Sequence, residues 1–355
     1  MPVTGSAETR LVRGAHAAGA RAAAWLVEQR ADDGLFRDFE TYAGASDEWV
    51  TAYVSEALLD GTREPGPRAA ATQALGRLAL RQRPDGSWGY NGLVPGDCDS
   101  TAWTLLALRA AGSRPSPELA ASRWLLRERR DDGAFATYGS PAAIARFIDE
   151  PEHERLRGWT SAHACVSAAA LLALARALPR PARGLLDDSV AWLRAARDDD
   201  GTWPAYWWAG WGYATLHALL ALAAAGALEE HELEAAADFA LLAGDRDGGF
   251  GPEPGMPSEA FATALALRIL LLRPQSRHRT RARAAAAWLL EAQRPDGSWE
   301  PQPILRIPEP FVLRPWTVTA WRRDVLGTGV QLRDPAATFT TATVLRALAT
   351  VERTG

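Results

Sequence analysis

One pattern limits this chain more than any other: an Asp-Gly pair followed, after one residue, by an aromatic. It occurs six times, as Asp33-Gly34-Leu35-Phe36, Asp85-Gly86-Ser87-Trp88, Asp132-Gly133-Ala134-Phe135, Asp200-Gly201-Thr202-Trp203, Asp247-Gly248-Gly249-Phe250 and Asp296-Gly297-Ser298-Trp299. Successive Asp residues are 52, 47, 68, 47 and 49 positions apart. A period of this size marks a fold assembled from copies of one supersecondary unit. Each copy has the same parts. Before the turn stands a segment rich in Ala, Leu and Arg (22–30, 69–81, 119–130, 189–197, 233–243, 282–293), charged on part of its circumference, as a half-exposed helix is. After it comes a segment apolar all round (49–59, 99–111, 159–178, 211–225, 260–272, 338–349), which predicts a helix buried on both sides. The Gly accommodates the positive φ of a chain leaving a helix. The aromatic fills the gap between repeats.

Six helix pairs predict a single all-α domain over residues 1–355, with the inner and outer helices closed into a double ring, an (α/α)6 barrel. An open solenoid is the alternative. Two repeats carry extra chain between turn and inner helix, residues 137–158 and 300–335. Loops of that length are typically functional, and these are expected to be lid segments.

A formal net charge of −4 offers no basic excess for nucleic acid. Two cysteines make no disulfide framework, and Arg10, Arg13 and Arg21 interrupt any secretory leader, so the cytoplasm is the expected compartment. The longest apolar run, 161–178, contains His163, Cys165 and Arg176, and reads as a buried helix, not a membrane span.

The inner helices share a motif that sets a register: Thr51-Ala52-Tyr53, Thr101-Ala102-Trp103, Ser161-Ala162-His163, Thr215-Leu216-His217, Thr263-Ala264-Leu265 and Thr341-Ala342-Thr343. Two positions earlier stand Trp49, Asp99, Trp159, Tyr213, Phe261 and Phe339. Four positions on, along the same helix face, come Tyr53, Trp103, His163 and His217. If these faces look inward, the mouth of the ring is an aromatic pocket with one acid on its rim. Trp49, Tyr53, Trp103, Trp159, Tyr213, His217, Phe261 and Phe339 are then the expected substrate-binding side chains. Burial raises the pKa of such a carboxyl, and an ionised Asp97 two residues away raises it further. Aromatic faces stabilise cations. Asp97 is also suited to cap the helix it precedes. Taken as helix packing alone, the same residues are core aromatics and a capped helix start.

Gln82-Arg83-Pro84-Asp85-Gly86-Ser87-Trp88 and Gln293-Arg294-Pro295-Asp296-Gly297-Ser298-Trp299 resemble the Gln-x-x-x-Gly-x-Trp repeat of squalene–hopene cyclases and other class II terpene cyclases. Asp97-Cys98-Asp99-Ser100-Thr101-Ala102 is similar to that family's Asp-x-Asp-Asp-Thr-Ala, whose middle Asp donates the initiating proton. The resemblance implies Asp99 as general acid, with Asp97, His163 and Ser100 as its partners in catalysis, and an isoprenoid alkene or epoxide as substrate. Ser100 departs from the motif's last Asp. The segment 202–213, rich in Trp and Tyr, resembles an active-site segment of the family. No cofactor is implied. No Asp-Asp-x-x-Asp is present to hold magnesium, since Asp187-Asp188 lacks the third acid. The family's usual members carry two such barrels, so the far wall of the pocket falls to the insertions or to a second subunit, and peripheral membrane contact is a further candidate. Three rival readings compete: a zinc site of Cys98, His163 and Cys165 as in prenyltransferases, a carbohydrate-active enzyme using Asp47-Glu48 as a second acid, and a non-catalytic barrel that binds an isoprenoid or a protein.

Overall fold

The computed structural model describes residues 4–112, 115–272 and 276–354. It is mostly helical. Outer helices α1 (Thr4–Glu28), α3 (Pro65–Ala79), α5 (Pro115–Glu128), α8 (Asp187–Ala195), α10 (Glu230–Ala243) and α12 (Ser276–Glu291) alternate with inner helices α2 (Glu48–Gly61), α4 (Cys98–Ala110), α7 (Ala164–Ala177), α9 (Gly212–Ala225), α11 (Ala260–Leu272) and α13 (Thr338–Thr354). A thirteenth helix, α6 (Pro141–Ile148), lies in the first insertion. None of the helices among the described residues is long and apolar enough to cross a membrane.

The turns explain the pairing. In all six the Asp carboxylate accepts the backbone N–H two residues on, at 2.8–3.1 Å. The tryptophans of three turns are locked by their indole N–H: Trp88 donates to the Leu78 carbonyl at 2.8 Å, Trp203 to Leu193 at 2.7 Å and Trp299 to Leu289 at 2.8 Å. The glutamines of the two best-matched turns bridge to the next repeat. Gln82 Nε2 donates to Gly86 O and to Pro117 O, and Gln293 Nε2 to Gly297 O and to Ala18 O. The second of these pairs joins the last repeat to the first helix.

Inner helices pack in order, α2 on α4, α4 on α7, α7 on α9, α9 on α11 and α11 on α13, and α13 returns to α2. Outer α12 likewise packs on α1.

The expected helical chain carries short strands as well. Two antiparallel two-stranded sheets are present, β1 (Asp38–Thr41) with β2 (Gly44–Ser46), and β3 (Pro303–Ile307) with β4 (Val330–Arg333). Both sit between a turn and its inner helix, where insertion chain must satisfy its own backbone groups. The register expected for the third repeat also moves. In four repeats the backbone N–H of the turn aromatic donates to the hydroxyl of the inner-helix motif: Phe36 to Thr51, Trp88 to Thr101, Trp203 to Thr215 and Phe250 to Thr263. In the third repeat Phe135 donates to Ser167, not Ser161, at 2.9 Å. Helix α7 begins only at Ala164, with His163 as its N-cap residue. The residue equivalent to Asp99 is therefore Cys165, and Trp159 and His163 reach in from the preceding turn.

Candidate active site

A cavity of about 430 Å³ opens at the end of the molecule where the inner helices begin. Asp99, in the first turn of α4, is on its wall, beside Asp97 and Ser100. Aromatic faces of Trp49, Tyr90, Tyr138, Trp159 and Trp207 surround them, and the rest is largely aliphatic. Both insertions contribute: Thr137, Ile144 and Phe147 from the first, Leu305, Ile307 and Leu326 from the second. The β1–β2 turn adds Thr41 to Ala43.

Asp97 caps α4. One carboxylate oxygen accepts the Ser100 backbone N–H at 2.7 Å, and the other accepts the Ser100 hydroxyl at 2.7 Å. Burial pushes its pKa up to about 6, while the Ser100 bonds and nearby Arg83 hold it from rising further. Asp99 has no such support. Its carboxyl looks into the cavity from surroundings that are otherwise protein, and burial together with the Asp97 charge raises its pKa well above the usual carboxylate range. The Trp49 indole N–H opposes that rise, from a position short of hydrogen-bond geometry. A carboxyl so placed holds its proton where Asp97 gives its own up.

His163 is buried and does not bond to Asp99. Its Nε2 faces the Gly158 carbonyl at 2.8 Å, so that nitrogen carries the proton, and Nδ1 accepts from the Thr137 hydroxyl at 3.1 Å. Thr137 Oγ1 in turn accepts the Trp207 indole N–H at 2.7 Å. Burial lowers the imidazole to about 3, which keeps it neutral. The residue thus braces a cavity wall. Among the described residues no group of three or more His, Cys, Asp or Glu is placed to hold a metal ion. Of the zinc reading's residues, Cys98 is buried, both nitrogens of His163 are engaged, and burial pushes the Cys165 thiol up to about 11. Asp47 and Glu48 are turned to Arg81 and Arg83, each at 2.8 Å, and do not line the cavity.

The expected substrate-binding aromatics divide into two groups. Trp49 and Trp159 line the cavity. Tyr53, Trp103, Tyr213, His217, Phe261 and Phe339 lie beneath it in a packed stack: Tyr53 on Phe339 at 3.8 Å, Trp103 against His217 at 5.2 Å, Tyr213 against His217 at 4.2 Å. Trp208 fills the space over them. Tyr90, Tyr138 and Trp207 were not singled out from sequence. For Trp207 a signal existed in the aromatic run 206–208, but nothing in the run tells which ring faces the cavity.

A family model described as the squalene-hopene cyclase C-terminal domain matches residues 120–313. A single-substitution variant of the type II terpene cyclase MstE from Scytonema, solved in complex with its substrate geranylgeranyl dihydroxybenzoate, superposes with a TM-score of 0.88 at 32% identity, covering 98% of this chain and 100% of that one. A drimenyl diphosphate synthase of Streptomyces showdoensis is 34% identical over 70% of this chain and 44% of its own length. A copalyl diphosphate synthase of Streptomyces cyslabdanicus is 30% identical over 68% of this chain and 40% of its own length. The chain thus spans under half the length of these curated relatives.

Proposed function

Because the chain belongs to the squalene–hopene cyclase family of class II terpene cyclases, we propose that it cyclises an isoprenoid by protonation, with Asp99 as the general acid. The observation that carries this reading is a carboxyl held protonated by burial and by Asp97, on the wall of an aromatic cavity. The Asp99 proton adds to one carbon of a terminal alkene or to an epoxide oxygen, leaving a tertiary cation and the Asp99 carboxylate. Further double bonds attack in turn, each closing a ring and passing the positive charge along. The last cation loses a proton to water, giving a neutral product, and Asp99 regains a proton from solvent for the next turnover. Aromatic faces at Trp49, Trp159 and Trp207 favour the cationic stages.

The cyclic order of helix packing supports an (α/α)6 barrel as the scaffold. The insertions 137–158 and 300–335 act as lids: they supply much of the cavity wall, where a second barrel stands in longer family members. Excluding water there prevents early quenching of the cation. MstE, which matches over nearly the whole chain, is solved with geranylgeranyl dihydroxybenzoate as substrate, and the curated relatives are diphosphate synthases by name. A prenyl chain of related size is the expected substrate, on an aromatic or diphosphate head.

The test is Asp99→Asn, assayed by product mass spectrometry against geranylgeranyl dihydroxybenzoate and prenyl diphosphates. The expected outcome is a loss of at least ~10²–10⁴-fold in turnover at an unchanged melting temperature. A folded variant with full activity would refute the assignment.

A further inference from the structure

We propose that Trp208 sets the length of isoprenoid chain that the cavity accepts; the inference rests on reading the cavity as an isoprenoid site. Trp208 belongs to no helix. It comes from the loop ahead of α9, which runs alongside β3: Arg306 N–H donates to Trp207 O at 2.6 Å and Ala209 N–H to Ile304 O at 2.9 Å. Its indole is 1% exposed and meets rings from four inner helices. It stacks on Tyr213 of α9 at 3.9 Å, and its centroid is 4.9 Å from Phe339 of α13, 5.5 Å from Phe261 of α11 and 5.6 Å from Trp49 of α2. A side chain that touches these four helices together occupies the middle of the inner ring.

Trp208 is also directly behind the cavity wall. Trp49, its ring neighbour, lines the cavity, and so does Leu305, which Trp208 bridges through the backbone. On the other side of the indole the second aromatic layer is already closed. Tyr53 stacks on Phe339, and Trp103 Nε1 donates to the Tyr213 hydroxyl at 3.0 Å. The hydrocarbon end of a chain whose head group stays at the cavity mouth can go no deeper while the indole is in place.

Protein interiors are close-packed, so shortening Trp208 leaves a hole. Lined by aromatic faces, that hole stays dry and takes apolar guests. No inner-helix hydrogen bond is lost with it, because the residue is in a loop. Each additional buried methylene strengthens binding roughly fourfold. A five-carbon unit that finds room therefore gains well over tenfold, and one that is blocked gains nothing.

The experiment is calorimetric binding of geraniol, farnesol, geranylgeraniol and geranylfarnesol to the wild-type protein and to Trp208→Ala. In the wild type, affinity is expected to climb with chain length and stop at one member. In Trp208→Ala it is expected to climb one member further, that alcohol binding at least about tenfold tighter than to the wild type. The same cut-off in both folded proteins would overturn the proposal. Trp208→Leu, which keeps an apolar filler, guards against a folding failure and is expected to move the cut-off in the same direction. A crystal structure of the wild type with the longest tolerated alcohol needs no variant: its chain end should abut the Trp208 indole, and an end lodged elsewhere sinks the idea. Binding requires no turnover. A protein that binds the series with a movable cut-off but cyclises nothing refutes the cyclase reading alone, and an unmoved cut-off in an active enzyme refutes this inference alone.

Discussion

Asp97 and Asp99 are chemically identical side chains with different partners. Asp97 receives two bonds from Ser100 and keeps its pKa near about 6. Asp99 is left with burial and its neighbour's negative charge, both of which raise it. If Asp99 is the acid, activity is present while it is protonated and falls as pH rises through its pKa. Asp97→Asn removes the neighbouring charge, so the Asp99 pKa falls and the alkaline limb of the pH–rate profile moves to lower pH. The amide still caps α4, so the melting temperature should hold, and a limb that does not move would show that the Asp97 charge has no influence on Asp99. His163 belongs to another system. As Trp207 hangs from Thr137, and Thr137 from His163, His163→Ala is expected to alter product ratios by loosening the Trp207 wall, with the alkaline limb unchanged. Gas chromatography of the products alongside that profile separates the two effects.

Helix α13 begins against a pair of buried carboxylates. Asp38 accepts the Thr338 backbone N–H at 2.9 Å and its hydroxyl at 2.6 Å, while Asp334 accepts the Thr340 N–H at 2.7 Å and the Gln302 N–H at 3.2 Å. They tie the 300–335 insertion to the first repeat. Burial raises Asp334, and the Asp38 charge adds to that, to about 8. The folded state therefore holds a proton that the unfolded chain gives up at about pH 4. Its contribution to stability is greatest below that value, declines as pH rises to about 8, and is level beyond it. Asp334→Asn abolishes the ionisation, so its melting temperature should gain on that of the wild type by a few degrees between about pH 5 and about pH 9. Parallel melting curves would mean that Asp334 does not titrate across this range. This contact was not legible in the sequence, since Asp38 and Asp334 are nearly 300 residues apart and match no local pattern. The turns were legible, because each Asp-Gly-x-aromatic carries its own bonds within a few residues. Between these cases is the third repeat, where Ser161-Ala162-His163 imitated the inner-helix motif although Ser167 makes its defining bond. A three-residue pattern of small residues could not outweigh the insertion that delays α7. The cavity-lining Tyr90, Tyr138 and Leu305 were hidden for the same reason, on loops and a short strand whose path only tertiary packing determines.

At the scale of the whole molecule the question is whether the last repeat seals on the first, for a closed ring unfolds as one unit and an open row of repeats frays from its ends. The turn glycines provide a test. A Cβ on Gly86, at φ +102°, would meet the Ala120 carbonyl oxygen at 2.7 Å, a contact between consecutive repeats. A Cβ on Gly297, at φ +98°, would meet the Arg21 carbonyl oxygen at 2.8 Å, a contact between the last repeat and α1. Gly226, at φ +78°, has nothing within 4 Å. Alanine at any of the three bears the left-handed strain of ~1–2 kcal/mol. At Gly86 and Gly297 it must also displace backbone, which cannot give way as the end of a long side chain can. Closure therefore predicts that Gly297→Ala destabilises about as much as Gly86→Ala, and that both exceed Gly226→Ala by ~1 kcal/mol or more. Denaturant titration by circular dichroism measures all three, and the closed ring requires a single transition in each. If the seam opens readily in solution, α1 swings away at little cost. Gly297→Ala then falls to the level of Gly226→Ala, while Gly86→Ala does not.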